Sequence, residues 1–251
     1  MTEITDNAFL GGRLQVLQPA AGYRAGADPV FLASAVPARP GQSVLDVGCG
    51  VGTAMLCLAA RVPGLHLTGV ELQPDLAEIA SKNFARNQVD GEIVAANLAE
   101  LPSQVRGRRF DHVMTNPPFF DRATGSTSDS KTREIGRGAG MDLHTWLDLA
   151  LRRVLPGGAL TLIHRTEHLP ACLAALGTRA GDVTVLPLVP RRSRPAKLFL
   201  LQAKKGGKGP FRLMPPLVLH EGDAHTEDGD SYTQAAREVL RDGKSFPLSH
   251  S

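Results

Sequence analysis

Residues 43–62, "SVLDVGCGVGTAMLCLAARV", constrain the fold more than any other stretch of the chain. "SVLDV" (43–47) is a short, β-rich apolar run, glycines at 48, 50 and 52 stop it, and "TAMLCLAARV" (53–62) then shows helical spacing. A strand that turns on glycines straight into a helix opens an α/β unit, whose helix carries the chain back over a parallel sheet. Glycines at these positions let the backbone turn sharply and bring a ligand close to the helix N-terminus.

The pattern repeats without sequence repetition. Further strands are expected at 65–72, 91–98, 108–116 and 159–165, with helices at 74–88, 144–155 and 167–180. Pro74 suits a first helical turn, and "PGG" (156–158) breaks the helix before it. Alternation of this kind predicts right-handed crossovers and a mainly parallel sheet with helices on both faces. The last two runs, 182–189 and 196–205, are joined by about six residues. That is too few for a helical crossover, so they should close the seven-stranded sheet as an antiparallel edge hairpin. Residues 1–251 are read as a single domain: an amino-terminal extension (1–40), a core (41–205) and a carboxyl-terminal appendage (206–251) with a helix near 231–242.

Composition excludes several classes. No stretch approaches the roughly 18 apolar residues of a membrane span, and "MTEITDNAFLGG" lacks a signal-peptide pattern, so the cytoplasm is the expected compartment. Cys49, Cys57 and Cys172 have no metal-ligand spacing, and reduced, buried thiols are expected. Net charge is only +3, yet the basic residues gather at 106–109, 191–197 and 204–208 and the acids partly at 220–230. Such clusters are compatible with a polyanionic partner.

Two carboxylates indicate what the glycine turn holds. Glu71 ends the second strand at the spacing where doubly wound folds grip a ribose hydroxyl pair. Asp46 enters the turn itself, which a pyrophosphate would disfavour and a cation would favour. S-adenosylmethionine carries a sulfonium and an ammonium and no phosphate. "VLDVGCGVG" resembles the first motif of class I S-adenosylmethionine-dependent methyltransferases, whose Rossmann-like fold also ends in an antiparallel hairpin. The resemblance implies that Asp46, Gly48 and Gly50 surround the methionine part, that Glu71 takes the ribose and that Asn97 faces the adenine amine. Where that family often has Asp, this chain has Asn97, whose oxygen can still accept the bond. A purely structural glycine turn is the bland alternative.

"TNPPFF" (115–120) ends the fourth strand, beside the switch point where ligands bind in open α/β sheets. The lone pair of an exocyclic base amine is delocalised into its ring. If the Asn116 oxygen and the Pro117 carbonyl each accept one amine N–H, the nitrogen moves toward tetrahedral geometry and its lone pair faces the methyl group. Pro117 and Pro118 offer no competing N–H and bias Asn116 to an extended backbone, while Phe119 or Phe120 can stack on the base. The stretch resembles the Asn-Pro-Pro-aromatic motif of amino-methyltransferases; a plain turn is the alternative.

The sequence ahead of the first motif separates the branches that carry this stretch. Release-factor glutamine methyltransferases and ribosomal-RNA guanine-amine methyltransferases have a substantial domain there, and here only 43 residues precede Val44. "GGRLQVLQPAAGYRAGADPVFLAS" (11–34) resembles the start of bacterial tRNA adenine-N6 methyltransferases, a likeness running from about Asp6 to Lys205 with an echo at 217–223. It implies that Gly26 and Asp28 line the cofactor end of the pocket, against an ordinary helix N-cap at Asp28. It also implies an RNA partner, tRNA. The 119–142 loop has a length that suits a functional loop, and its Arg122, Lys131, Arg133 and Arg137 can clamp phosphates, Arg133 and Arg137 foremost. No metal is expected. Trp146 and His164 read as core residues, and Tyr23 is undecided between core and site. A small-molecule amine methyltransferase, and a partner subunit that keeps the cofactor and has lost catalysis, remain as alternatives; the intact Asn-Pro-Pro-Phe stretch argues against the latter.

Overall fold

The strand that enters the glycine turn is near the middle of the sheet. In a computed structural model describing residues 3–22, 24–118, 141–222 and 231–248, β3 (Ser43–Val47) pairs in parallel with β4 (His66–Glu71) on one side and β6 (Phe110–Thr115) on the other. The amino-terminal residues form a separate antiparallel hairpin, β1 (Ile4–Phe9) and β2 (Leu14–Pro19). Beyond β4 lies β5 (Gly91–Ala95), and beyond β6 lies β7 (Val154–Arg165). β9 (Leu198–Lys205) inserts antiparallel between β7 and β8 (Ala180–Val189). The seven expected strands are therefore present, in the order β8-β9-β7-β6-β3-β4-β5. Two short strands, β10 (Arg212–Leu213) and β11 (Leu217–Val218), pair in parallel with the outer edge of β8 and bring the sheet to nine. They occupy backbone groups that an edge strand would otherwise expose.

Both faces of the sheet are covered, as the continuous apolar strands require. Val44, Met114, Ile163 and Leu200 face one core, and Leu45, Val47, Val113, Leu162 and Leu201 face the other. On the first face lie α1 (Asp28–Ala35), α2 (Thr53–Arg61) and α3 (Pro74–Arg86); on the second lie α5 (Leu143–Arg153) and α6 (Leu169–Leu176). A single turn, α4 (Ser103–Arg106), precedes β6, and α7 (Gln234–Leu240) packs on α1.

The extension before the sheet carries more structure than the sequence suggested. α1 is buried at every position after Asp28, so it has no polar face to betray it as an amphipathic helix. The hairpin is fastened to α3 by two amides one helical turn apart. Asn83 accepts from the Leu17 N–H (2.8 Å) and donates to the Leu17 carbonyl (3.0 Å), and Asn87 does the same for Gln15 (3.0 and 2.9 Å). The side chains of α3 thus act as a neighbouring strand for β2. Around "PGG" the chain does not leave the sheet. β7 runs from Val154 through it, with a register shift opposite Phe110 and His112, and a Cβ on Gly158 would come within 2.5 Å of the Asp111 carbonyl.

Candidate cofactor and substrate site

The glycine turn and the Asn-Pro-Pro stretch leave adjacent strands side by side. Val47 is the register partner of Thr115, so Gly48 and Asn116 are the next residues out of the sheet at its carboxyl edge. Thr115 Oγ1 donates to the Val47 carbonyl (2.8 Å) and accepts from the Trp146 indole N–H (3.0 Å). The same ring lies under the turn, where a Cβ on Gly48 would meet it at 3.0–3.1 Å, and Gly48 has φ 74. Only glycine combines that backbone with that approach. Trp146 is core, as expected, but it is also the bracket that sets one loop against the other.

The remaining turn is built from backbone. The N–H groups of Gly48 and Cys49 donate to the Val70 carbonyl (2.8 and 3.0 Å). The two Glu71 oxygens accept from the N–H of Gly50 and of Gln73, each at 2.9 Å. Glu71 therefore faces the turn, with its carboxylate oriented from both sides and one lone pair per oxygen still to use. Asn83 Nδ2 donates to the Val51 carbonyl (3.0 Å) as well as to β2, which joins the amino-terminal hairpin to the turn. This link went unread in the sequence, where the signal was a pair of Asn residues at i and i+4 on an otherwise ordinary amphipathic helix.

Asp46 and Glu71 are 2% and 7% exposed. Burial, and then the Glu71 charge, push the Asp46 carboxyl up to about 8; burial also raises Glu71, against the backbone N–H groups that favour its charge. A buried carboxylate that feels a second one is relieved by protonation or by a cation. A ligand with fixed positive charge and vicinal hydroxyls fits this pair, and a pyrophosphate does not.

The other expected site residues fall in different places. Asn97 caps the short turn after β5, its oxygen accepting from the Ala99 N–H (3.0 Å), so one lone pair remains for a ligand. Asp28 is the first residue of α1, and Ala27, not Asp28, is the N-cap. Burial raises the Asp28 carboxyl, opposed by Arg165 at the carboxyl end of β7. Gly26 is exposed in a cleft of about 490 Å³ bordered by Phe9, Val30 and Tyr232. The segment carrying it is held through Gln18, buried in β2, whose oxygen accepts from the Ala25 N–H (2.6 Å). Pro117 is buried, and Asn116 and Pro118 are half-buried. Phe119, Phe120, Arg133, Arg137 and Tyr23 lie outside the described residues. His164 is buried against His168, with ring centroids 4.6 Å apart, and is pushed down to about 4, first by burial; it is a neutral core residue. Among the described residues no cluster of metal-binding side chains occurs, and no helix is long and apolar enough to cross a membrane.

Strand order, glycine turn and paired acids define a class I methyltransferase with S-adenosylmethionine as its cofactor. The family model described as methyltransferase small domain matches residues 26–168, more than half of the chain, and the chain belongs to that family. It is 29% identical over 189 residues to the tRNA1(Val) (adenine(37)-N6)-methyltransferase of Porphyromonas gingivalis, covering 70% of this chain and 74% of that protein. It is also 34% identical over 122 residues to ribosomal RNA small subunit methyltransferase C of Escherichia coli, covering 49% of this chain and 34% of that one. The match thus spans about a third of the second relative's length. Among solved structures, one described as a predicted O-methyltransferase from Agrobacterium tumefaciens superposes with TM-score 0.71 at 24% identity, over 89% of this chain and all of that one. The 16S rRNA N2 methyltransferase of T. thermophilus, in complex with AdoMet and guanosine, gives 0.54 at 21%, over 81% and 50%. These two likenesses speak for the fold.

Proposed function

We propose that this methyltransferase acts on the exocyclic N6 amine of an adenine in tRNA, as one cytoplasmic domain spanning residues 1–251. The observation that carries the reading is the placement of Asn116-Pro117-Pro118 beside the glycine turn, one strand from Asp46 and two from Glu71. The curated tRNA methyltransferase, aligned over most of both chains, supports the substrate.

When bound, the cofactor supplies an electrophilic methyl group on a positively charged sulfur. Glu71 would accept from its ribose hydroxyls, Asp46 with the backbone of Gly48 and Gly50 would receive its cationic end, and Asn97 would accept from its adenine amine. Gly26 and Asp28 would line the cofactor end of the pocket. Asn116 Oδ1 and the Pro117 carbonyl each accept one N–H of the target amine. They thereby draw its lone pair out of conjugation and aim it along the transfer line, an effect of orientation and local dipoles. The new N–C bond would form as the methyl–sulfur bond breaks, its electron pair staying on sulfur as the neutral thioether of S-adenosylhomocysteine, while one amine proton leaves to solvent. Pro118 keeps the backbone rigid and free of competing donors, Phe119 or Phe120 stacks on the base, and Arg133 and Arg137 hold phosphates.

A guanine amine of ribosomal RNA is the second reading, favoured by the relative at 34% identity. Incubation with labelled S-adenosylmethionine and separate pools of tRNA, ribosomal RNA and protein, followed by digestion to nucleosides, decides between them. N6-methyladenosine from the tRNA pool is expected. Label in N2-methylguanosine or in glutamine would replace the reading.

A further inference from the structure

The basic stretch at 106–109 is one end of a row. β6, β7, β9 and β8 are consecutive neighbours in the sheet. At the edge opposite the glycine turn each of them carries a cation. Arg109 precedes β6, Arg153 precedes β7, Lys205 ends β9 and Arg179 precedes β8. With neighbouring strands about 4.8 Å apart, the four backbone positions span roughly 14 Å. Their charges act on one another. Lys205 is pushed down by burial and then by Arg109, Arg153 and Arg179; Arg153 is pushed down by burial and then by Arg109 and Arg152. Among the described residues, the acid that ion pairs bring to the row is Asp148, bound to Arg152 (2.9 Å) and to Arg179.

Part of the row serves helix ends. Lys205 Nζ donates to the Val154 carbonyl (2.7 Å) just past α5, and Arg179 to the Ala175 carbonyl of α6 (3.2 Å). Arg153 donates to the Arg106 carbonyl. One cation at each helix terminus satisfies the helix ends; exposed Arg109 adds charge beyond them, and exposed Arg152 and Arg179 share the single carboxylate of Asp148, which leaves that trio net positive. Between Arg152, Arg179 and Lys205 opens a cleft of about 440 Å³ floored by Leu151 and Pro156.

We propose that this row is a second nucleic-acid contact, a strip for consecutive phosphodiesters of an RNA whose target base is held at the opposite edge. The inference rests on the RNA reading above. α5 connects the two ends: it begins at Leu143, the next described helix after the Asn-Pro-Pro stretch, and delivers Arg152 and Arg153 to the row. Its 11 residues cover about 16 Å at 1.5 Å per residue. A folded RNA spans that distance and a free nucleotide or small amine does not. Phosphates that displace counterions from such a row make binding salt-dependent.

The test compares the wild type with Arg109→Gln/Arg152→Gln, two exposed positions, using unfractionated deacylated tRNA at several salt concentrations. A short adenine-containing oligonucleotide and S-adenosylmethionine serve as pocket probes. The double variant is expected to bind tRNA about three- to tenfold more weakly at low salt and to flatten the salt slope by up to about two. Both pocket probes should bind unchanged, and Arg109→Lys/Arg152→Lys should restore tRNA binding. Unchanged tRNA affinity and slope overturn the strip and leave the RNA reading standing, as does a loss that the lysine variant shares. Wild-type protein with no salt-linked tRNA binding overturns both.

Discussion

At the scale of single residues, the proposed site rests on two buried carboxylates and one amide. Asp46 is held up to about 8 by burial and by Glu71. A carboxyl whose folded value is raised contributes stability that is full below its unfolded value, about 4, and is lost as pH climbs to the folded value. The ligand-free protein should therefore lose stability between about pH 4 and 8, and Asp46→Asn should flatten that decline. Thermal melting of both proteins across the window measures it, and superimposable profiles would refute the assignment. A cationic ligand reverses the preference, so binding near pH 7 should release a proton from Asp46, detectable as a buffer-dependent heat in calorimetry. Asn116 carries the complementary prediction. It is half-buried beyond the end of β6, so Asn116→Ala should leave the fold and cofactor affinity intact and abolish most methyl transfer. Activity within about threefold of wild type would leave no room for the amine-polarising role, since a positioned group of this kind is worth 10²-fold or more.

At the scale of elements, the amide pair of α3 couples the amino-terminal hairpin to the cofactor turn. Asn83 has its side chain fully buried and engages three backbone groups, the Leu17 N–H and carbonyl and the Val51 carbonyl. Asn83→Ala should destabilise the protein by about 2–3 kcal/mol, because buried backbone groups would be left without partners. It should also speed hydrogen exchange in β2 before the rest of the sheet. A denaturation midpoint equal to wild type would show that the hairpin docks by its apolar contacts alone. β6 illustrates the opposite division of labour: its apolar residues face both cores, and the proposed site residues Asn116–Pro118 follow directly after its end.

At the scale of the whole molecule, a net charge of +3 conceals local clusters of basic residues. The 190–197 turn, between the end of β8 and the start of β9, lies at the carboxyl edge, because Leu198 pairs with Arg165. Its Arg191 is occupied with the carbonyls of Glu221 and Gly222, so in the proposed RNA reading the phosphate-holding role rests more on Arg133 and Arg137. Neutralising those two together should lower tRNA affinity and flatten the salt slope by up to about two, with cofactor affinity nearly unchanged. A slope untouched by the double substitution would reduce the 119–142 loop to a cover over the pocket.

Local chemistry in the sequence determined the alternating elements, the turn at Gly48–Gly52 and the edge hairpin, because each depends on residues close together in the chain. The motif residues were legible for the same reason, since Asp46 lies one residue before the end of β3 and Asn116 one residue past the end of β6, each beside a visible apolar run. The tertiary structure decided what lies between them. Trp146 bracing Gly48 against Thr115, Gly69 making room for Met55 and Cys49, and Asn83 reaching both β2 and Val51 all join positions far apart in sequence. The helix at 28–35 was hidden because burial on all sides erases the periodicity that would reveal it. The row of cations at the amino edge emerged only when β6, β7, β9 and β8 became neighbours, because strand order in a sheet is set by long-range packing rather than by local spacing.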